Sequence, residues 1–169
     1  GGQDLPLTVW TYRPASFAPE SPVLFVMHGV TRDGRGYRDA WIAAAEEHGA
    51  LVLAPEFSKA VFPSPREYEV GNMRDRDRRP LPREEWALWA VEELFDAIKD
   101  QVGSARSGYR LFGHSAGGQF VHRVLTFLPD CRAEATVVAN SGCYTLLDEG
   151  ERFPYGLGGM PIDHAAVVT

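Results

Sequence analysis

Cysteine is scarce in this sequence. Cys131 and Cys143 are the only two, and neither has a second Cys or a His at zinc-ligand spacing, which argues against a metal-stapled or disulfide-rich scaffold. They also bracket the apolar run 135–139. If that run is a strand, the thiols lie about 20 Å or more apart, too far to bridge, and read as two unpaired small hydrophobes. Basic charge is in deficit as well. The 17 Lys and Arg against 23 Asp and Glu leave a net charge of −6, which argues against nucleic acid or an anionic membrane as a partner. No apolar run approaches the roughly 18 residues needed to span a bilayer. The start, Gly1-Gly2-Gln3-Asp4, has neither the basic region nor the apolar core of a signal peptide. The chain therefore reads as soluble, with its compartment left open between the cytoplasm and export with a leader already removed.

What remains is ordinary globular material. Hydrophobic residues make up 44% and charged residues 24% of 169 positions, enough for one domain, 1–169, with a sizeable core. One stretch organises it: Gly113-His114-Ser115-Ala116-Gly117-Gly118, preceded by the apolar run Tyr109-Arg110-Leu111-Phe112 and followed by the periodic Phe120, Val121, Val124, Leu125, Leu128. Strand, tight Gly-x-Ser-x-Gly turn and helix together form the context of a nucleophile elbow. Such a turn strains its central residue and lifts the Ser115 hydroxyl to the top of the sheet, while the Ala116 N–H at a helix N-terminus faces the same space. The plain alternative is a Gly-rich connection in which Ser115 merely caps the helix.

In chain order, 7–12 alternates as a half-exposed strand, and Val23-Leu24-Phe25-Val26-Met27 reads as a strand covered on both faces. After His28-Gly29-Val30 the pattern predicts a helix from Tyr37 to His48 closed by Gly49, then a buried strand at 51–55. Residues 56–82 carry prolines and the run Arg74-Asp75-Arg76-Asp77-Arg78-Arg79 but no periodicity. They predict a long irregular loop within the domain whose charges are solvated and pair with one another, with carboxylate or phosphate binding as the less favoured reading. A helix is expected from Arg83 to Val102, with Trp86 and Trp89 extending its apolar stripe, and a buried strand at Ala135–Ala139. Alternating strands and helices imply a mostly parallel sheet with helices on both faces. Ligands of such sheets bind beyond the carboxyl ends of the strands, where His28-Gly29-Val30, Ser115 and Asn140-Ser141 all fall.

On the strand ending in His28-Gly29, the Gly113–Gly117 elbow and this order of elements, the chain resembles the α/β-hydrolase superfamily. The segments 112–123, 139–145 and 153–159 resemble most the bacterial poly(3-hydroxybutyrate)-depolymerase-like esterases. The resemblance implies Ser115 as the nucleophile and an oxyanion hole built from the Ala116 N–H and that of Val30 or Thr31. It calls for no cofactor and no metal, and makes a small or oligomeric carboxylic ester the substrate.

One part of the family pattern is missing. The triad order is Ser, then Asp or Glu, then His, and no later run supplies the last two strands of the fold. His114 packs under the elbow, His48 lies on the wrong side of the sheet, and His28 has a structural place in the family. His122 sits about 10 Å along the helix from Ser115. His164 with Asp163 beside it, and Asp148 as the acid, are the remaining triad candidates. The economical expectation is a fold truncated before its last two strands, its site completed by a missing C-terminal segment or a second chain. The competing readings are a peptidase or amidase on the same fold, and a non-catalytic binding protein or inactive fragment.

Overall fold

The computed structural model describes residues 6–161. Five strands form one sheet in the order β1-β3-β2-β4-β5, where β1 is Thr8–Tyr12, β2 Val23–Met27, β3 Leu51–Glu56, β4 Tyr109–His114 and β5 Ala133–Ala139. Only β1 is antiparallel, running against β3 with Trp10 opposite Ala54. β3, β2, β4 and β5 are mutually parallel, so their carboxyl ends share one rim.

The two faces of the sheet are divided by strand alternation. Phe25 and Met27 of β2, Leu51 and Leu53 of β3, and Tyr109 and Leu111 of β4 enter the main core with Val91 and Phe95 of helix α3 (Ala90–Val102) and Phe120, Val121 and Val124 of helix α4 (Ala116–Phe127). Val26, Val52 and Ala54 point the other way, against Ala45 of a short helix pair with Tyr37, Trp41 and Phe112 beside them.

Several elements depart from the sequence-based expectation. The helix expected at 37–48 is two helices, α1 (Gly34–Ala40) and α2 (Ile42–His48). They break at Trp41, whose N–H closes a tight turn onto Arg38 O at 3.1 Å, and Gly49 ends α2 in the left-handed region at φ 63°. The helix expected from Arg83 begins only at Ala90. Two single 3₁₀ turns precede it, because Trp86 is extended (φ −73°, ψ 132°) and its indole N–H donates to Leu81 O at 2.9 Å. The strand expected to be buried at 135–139 is, among the described residues, at the sheet edge, and Val137 is 56% exposed.

The excursion 56–82 is irregular, as its prolines suggest, yet it supplies core: Phe57, Phe62, Tyr68 and Met73 are all buried. Within the run 74–79 the described charges form one ion pair, the exposed Arg79–Asp77 contact, and Arg66 pairs with Glu67 earlier in the excursion, whereas Arg74 reaches out to Gly159 O. Both cysteines are free thiols.

Candidate active site

Three parallel strands deliver three loops to one rim. β2 ends at Met27, opposite Gly113 of β4, and continues into His28-Gly29-Val30. β4 ends at His114, opposite Ala139 of β5, and the chain turns at Ser115 directly into α4. The Ser115 N–H donates to Ala139 O at 2.9 Å, fixing the turn to the neighbouring strand.

The glycines make this turn possible. A β carbon on Gly117 would stand 2.1 Å from Met27 O, and one on Gly113 would stand 2.2 Å from Gly117 O. Both obstacles are backbone, so α4 can seat on the ends of β2 and β4 only if these positions lack side chains. Ser115 occupies φ 57°, ψ −115° and makes no capping hydrogen bond to the helix it precedes. Helix-capping serines sit in the extended region and accept a bond from the first turn, so Ser115 is not a cap. A non-glycine residue in that conformation stores strain on the order of 1–3 kcal/mol. Ala116, buried, opens α4, whose first N–H groups have no carbonyl partner within the helix.

Gly29 lies against Ser115: its β-carbon position is 3.7 Å from Ser115 Cβ and 2.8 Å from the Tyr37 hydroxyl. Val30, the next residue, is 56% exposed, an apolar side chain left open beside the serine. Tyr37 also bonds His114 Nδ1 at 2.8 Å, tying α1 to the residue before Ser115.

The buried histidines are engaged elsewhere. His28 Nε2 accepts from Phe57 N–H at 3.0 Å, so its proton sits on Nδ1, which donates to Gly29 O at 3.0 Å. Burial pushes its pKa down to about 4. His122 repeats the pattern, accepting from Thr145 N–H at 3.0 Å on Nε2 and donating from Nδ1 to Gly118 O. Burial and neighbouring Arg123 take its pKa down to about 4. His48 is exposed, at the end of α2. Among the described residues no histidine is hydrogen-bonded to Ser115. Asp148 is exposed, and its carboxylate accepts from Gly150 N–H at 2.8 Å within its own turn. Asp163 and His164 lie outside the described residues. No group of three or more His, Cys, Asp or Glu among the described residues could hold a metal ion.

Sequence reasoning passed over the residues that brace this rim. The Tyr68 hydroxyl donates to His28 O at 2.8 Å. Arg32, buried at φ 63°, stacks its guanidinium 4.4 Å from the Tyr68 ring and donates to Phe57 O at 2.7 Å. Arg123, fully buried on α4, donates to Glu69 O at 2.7 Å and Pro154 O at 3.3 Å. Only Arg123 left a sequence signal, a charge three residues after Phe120 within an otherwise apolar stripe.

No protein-family model and no curated protein matches the chain. Among solved structures, a poly(aspartic acid) hydrolase from Sphingomonas sp. KT-1 is 44% identical at a TM-score of 0.95, over 99% of this chain and 63% of that one. A poly(3-hydroxybutyrate) depolymerase from Bordetella parapertussis is 38% identical at a TM-score of 0.93, over 97% of this chain and 57% of that one. An acetyl xylan esterase from Aspergillus awamori, 16% identical at a TM-score of 0.62, is alike in fold alone. The chain thus spans less than two thirds of the length of the first two proteins.

Proposed function

We propose that this chain, an α/β-hydrolase in fold that resembles the poly(3-hydroxybutyrate)-depolymerase-like esterases, carries the nucleophile and oxyanion-binding part of a serine hydrolase for carboxylic esters. A single observation carries the reading. Ser115 is strained, uncapped and set on the rim against Gly29, a conformation that serves no helix-capping purpose and suits an exposed nucleophile.

In this reading the Ser115 oxygen attacks the ester carbonyl while its proton passes to a base. Negative charge develops on the carbonyl oxygen and is met by the N–H groups of Ala116 and Val30. Losing one such donor typically costs about 3–4 kcal/mol of transition-state stabilisation. The intermediate expels the alcohol, leaving an acyl group on Ser115, and water releases the acid. A serine hydroxyl is a weak nucleophile without a base. Since no described histidine is hydrogen-bonded to Ser115, the base is assigned outside residues 6–161, to His164 or to a further segment or second chain that completes the site, with Asp163, Asp148 or a residue of that segment as the acid.

The amidase reading keeps one specific support, the 44% identity to a poly(aspartic acid) hydrolase, a polymer joined by amides. Turnover of p-nitrophenyl esters against the matching anilides separates the two. The reading as a whole is tested with a fluorophosphonate probe, which is expected to label the wild-type protein and not Ser115→Ala. Labelling that persists in Ser115→Ala, or that fails in both when the segment or second chain that completes the site is present, refutes it.

A further inference from the structure

The loop after β2 hangs between two buried residues. Val30 and Thr31 are exposed, whereas His28 and Arg32, which flank Gly29-Val30-Thr31, are buried. Both flanking side chains grip one residue of the excursion. His28 Nε2 accepts from the Phe57 N–H at 3.0 Å, and Arg32 Nη1 donates to Phe57 O at 2.7 Å. Both flanking residues also meet Tyr68, whose hydroxyl donates to His28 O at 2.8 Å and whose ring lies 4.4 Å from the Arg32 guanidinium. The two ends of the loop are thus fastened to the same pair of buried aromatic residues.

Between these anchors one peptide unit is fixed. Gly29 O accepts from the Arg32 N–H at 3.0 Å, closing a four-residue turn, and from His28 Nδ1 at 3.0 Å. The Gly29 carbonyl and the Val30 N–H belong to one planar unit and point in opposite directions. Two bonds on the carbonyl therefore also set the line of the Val30 N–H. The Val30 carbonyl, which shares a plane with the Thr31 N–H, accepts no bond among the described residues. Of the two candidate oxyanion donors, the Val30 N–H is the one held. Gly29 in turn stands against the nucleophile, its β-carbon position 3.7 Å from Ser115 Cβ.

Arg32 holds this place against its own preferences. Its φ of 63° lies in the left-handed region, where glycine sits without strain, and its buried Nε has no hydrogen-bond partner. Strained backbone of this kind persists only where surrounding contacts over-determine it, and it clusters at functional sites. We propose that Arg32 is a positioning residue of the oxyanion hole. Its guanidinium, bonded to Phe57 O and stacked on Tyr68, holds the backbone at positive φ. That conformation keeps its N–H on Gly29 O and the Val30 N–H aimed at the oxygen on which charge develops. Without the side-chain anchor nothing offsets the strain, and the turn relaxes toward negative φ, carrying the Gly29–Val30 peptide with it. A planar fork that both donates and stacks suits this task, whereas an ammonium supplies only the donor. The catalytic consequence rests on the serine-hydrolase reading; the fastening of the loop does not.

Two measurements on the protein, with the segment or second chain that completes the site present, test this: steady-state hydrolysis of p-nitrophenyl acetate and ¹⁵N relaxation of the Val30 amide. Arg32→Met is expected to lower kcat on the order of 100-fold with KM within about 3-fold of wild type, because a displaced donor fails the transition state rather than the bound ester. Arg32→Lys, which keeps a charged donor without the fork, should lower kcat about 10-fold in the same pattern. In both variants the Val30 order parameter should fall from about 0.85 toward 0.6, with that of Ala116 unchanged. An unchanged kcat, a loss carried by KM alone, or a Val30 amide as ordered as in wild type would overturn the proposal. If Arg32→Met does not fold, Arg32→Lys decides by the same readings. Fluorophosphonate labelling of the wild-type protein keeps the two ideas apart. Labelling with a Val30 amide indifferent to both substitutions removes the positioning role alone. A loosened Val30 amide in a protein that is neither labelled nor active removes the serine-hydrolase reading and leaves the fastening in place.

Discussion

The hydroxyl of Tyr68 donates to the backbone carbonyl of His28 across 2.8 Å, joining the long excursion to the loop beside Ser115. The ring is fully buried, stacked at 4.8 Å on Phe57, and burial holds the phenol well above its ordinary pKa, protonated and donating. Tyr68→Phe keeps the ring and removes the donor, leaving the His28 carbonyl buried without it. A loss of about 1–2 kcal/mol in urea unfolding is expected, with slower fluorophosphonate labelling under the proposed function because the loop beside Ser115 is less well held. An unchanged midpoint and labelling rate would show that this bond braces nothing.

Ser115 stores backbone strain that glycine would not. At φ 57° and ψ −115°, Ser115→Gly relieves the clash of the β carbon with its own backbone, while Ser115→Ala retains it. Thermal unfolding is expected to rise by a few degrees for Ser115→Gly, about 1 kcal/mol after the added entropy of the unfolded glycine is subtracted. It should stay near wild type for Ser115→Ala, although both variants lack the hydroxyl that the proposed function assigns to the probe. Equal melting of the two variants would mean the turn carries no strain.

The sequence was most readable where one segment's burial decides its pattern. β2 and residues 51–55 of β3 are apolar throughout because both faces are covered, and Gly49 and Gly103 mark helix ends because both adopt positive φ. Where distant contacts decide, it was not. Trp86 and Trp89 fit a helical stripe, yet the indole bond from Trp86 to Leu81 O holds the chain extended. The excursion lacks periodicity because Phe57, Phe62, Tyr68 and Met73 are buried by docking rather than by a repeating backbone. β5 read as buried from its apolar run, whereas its residues are only partly covered by the described residues. At the site, Ser115 was legible because its glycines and flanking elements are local. Tyr68 and Arg123 act on carbonyls 40 and 54 positions away, which no spacing announces.

Acid should destabilise the fold through its two buried histidines. Both His28 and His122 have folded-state pKa values of about 4, below the ordinary 6.5, so the unfolded chain takes up protons first as pH falls. Their contribution is complete above about pH 6.5, is lost progressively toward pH 4 and is flat below it. It amounts to about 3 kcal/mol for His28 and less for His122, which is slightly exposed. Asp96 and Asp130, held below the usual carboxylate range by hydrogen bonds from Arg132 and Arg83, act at lower pH. Urea unfolding from pH 7.5 to 4 should therefore slope throughout this window, and His122→Gln should flatten it. A slope that survives the substitution unchanged would assign the effect to other groups.

Arg123 is a buried cation with no salt bridge among the described residues, and its bonds join three parts of the molecule. Its guanidinium donates to Gln119 O on its own helix, Glu69 O on the excursion, and Thr145 Oγ1 and Pro154 O beyond β5. Burial lowers its pKa, so charge alone does not explain its place; geometry does, because no other side chain carries five N–H groups in a fixed fork. Arg123→Met removes the charge and all the bonds of the fork, the one to Glu69 O included, and should cost about 3 kcal/mol. Arg123→Lys keeps the charge and reaches fewer of those oxygens, so it should be at least as damaging despite its conservative appearance. Hydrogen exchange should accelerate at 66–74 and 150–158 in both variants before it changes in β2 or β4, since the arginine ties the outer segments to a sheet that stands without it. If Arg123→Lys instead matched wild type in stability and exchange, the charge rather than the fork would be what this position requires.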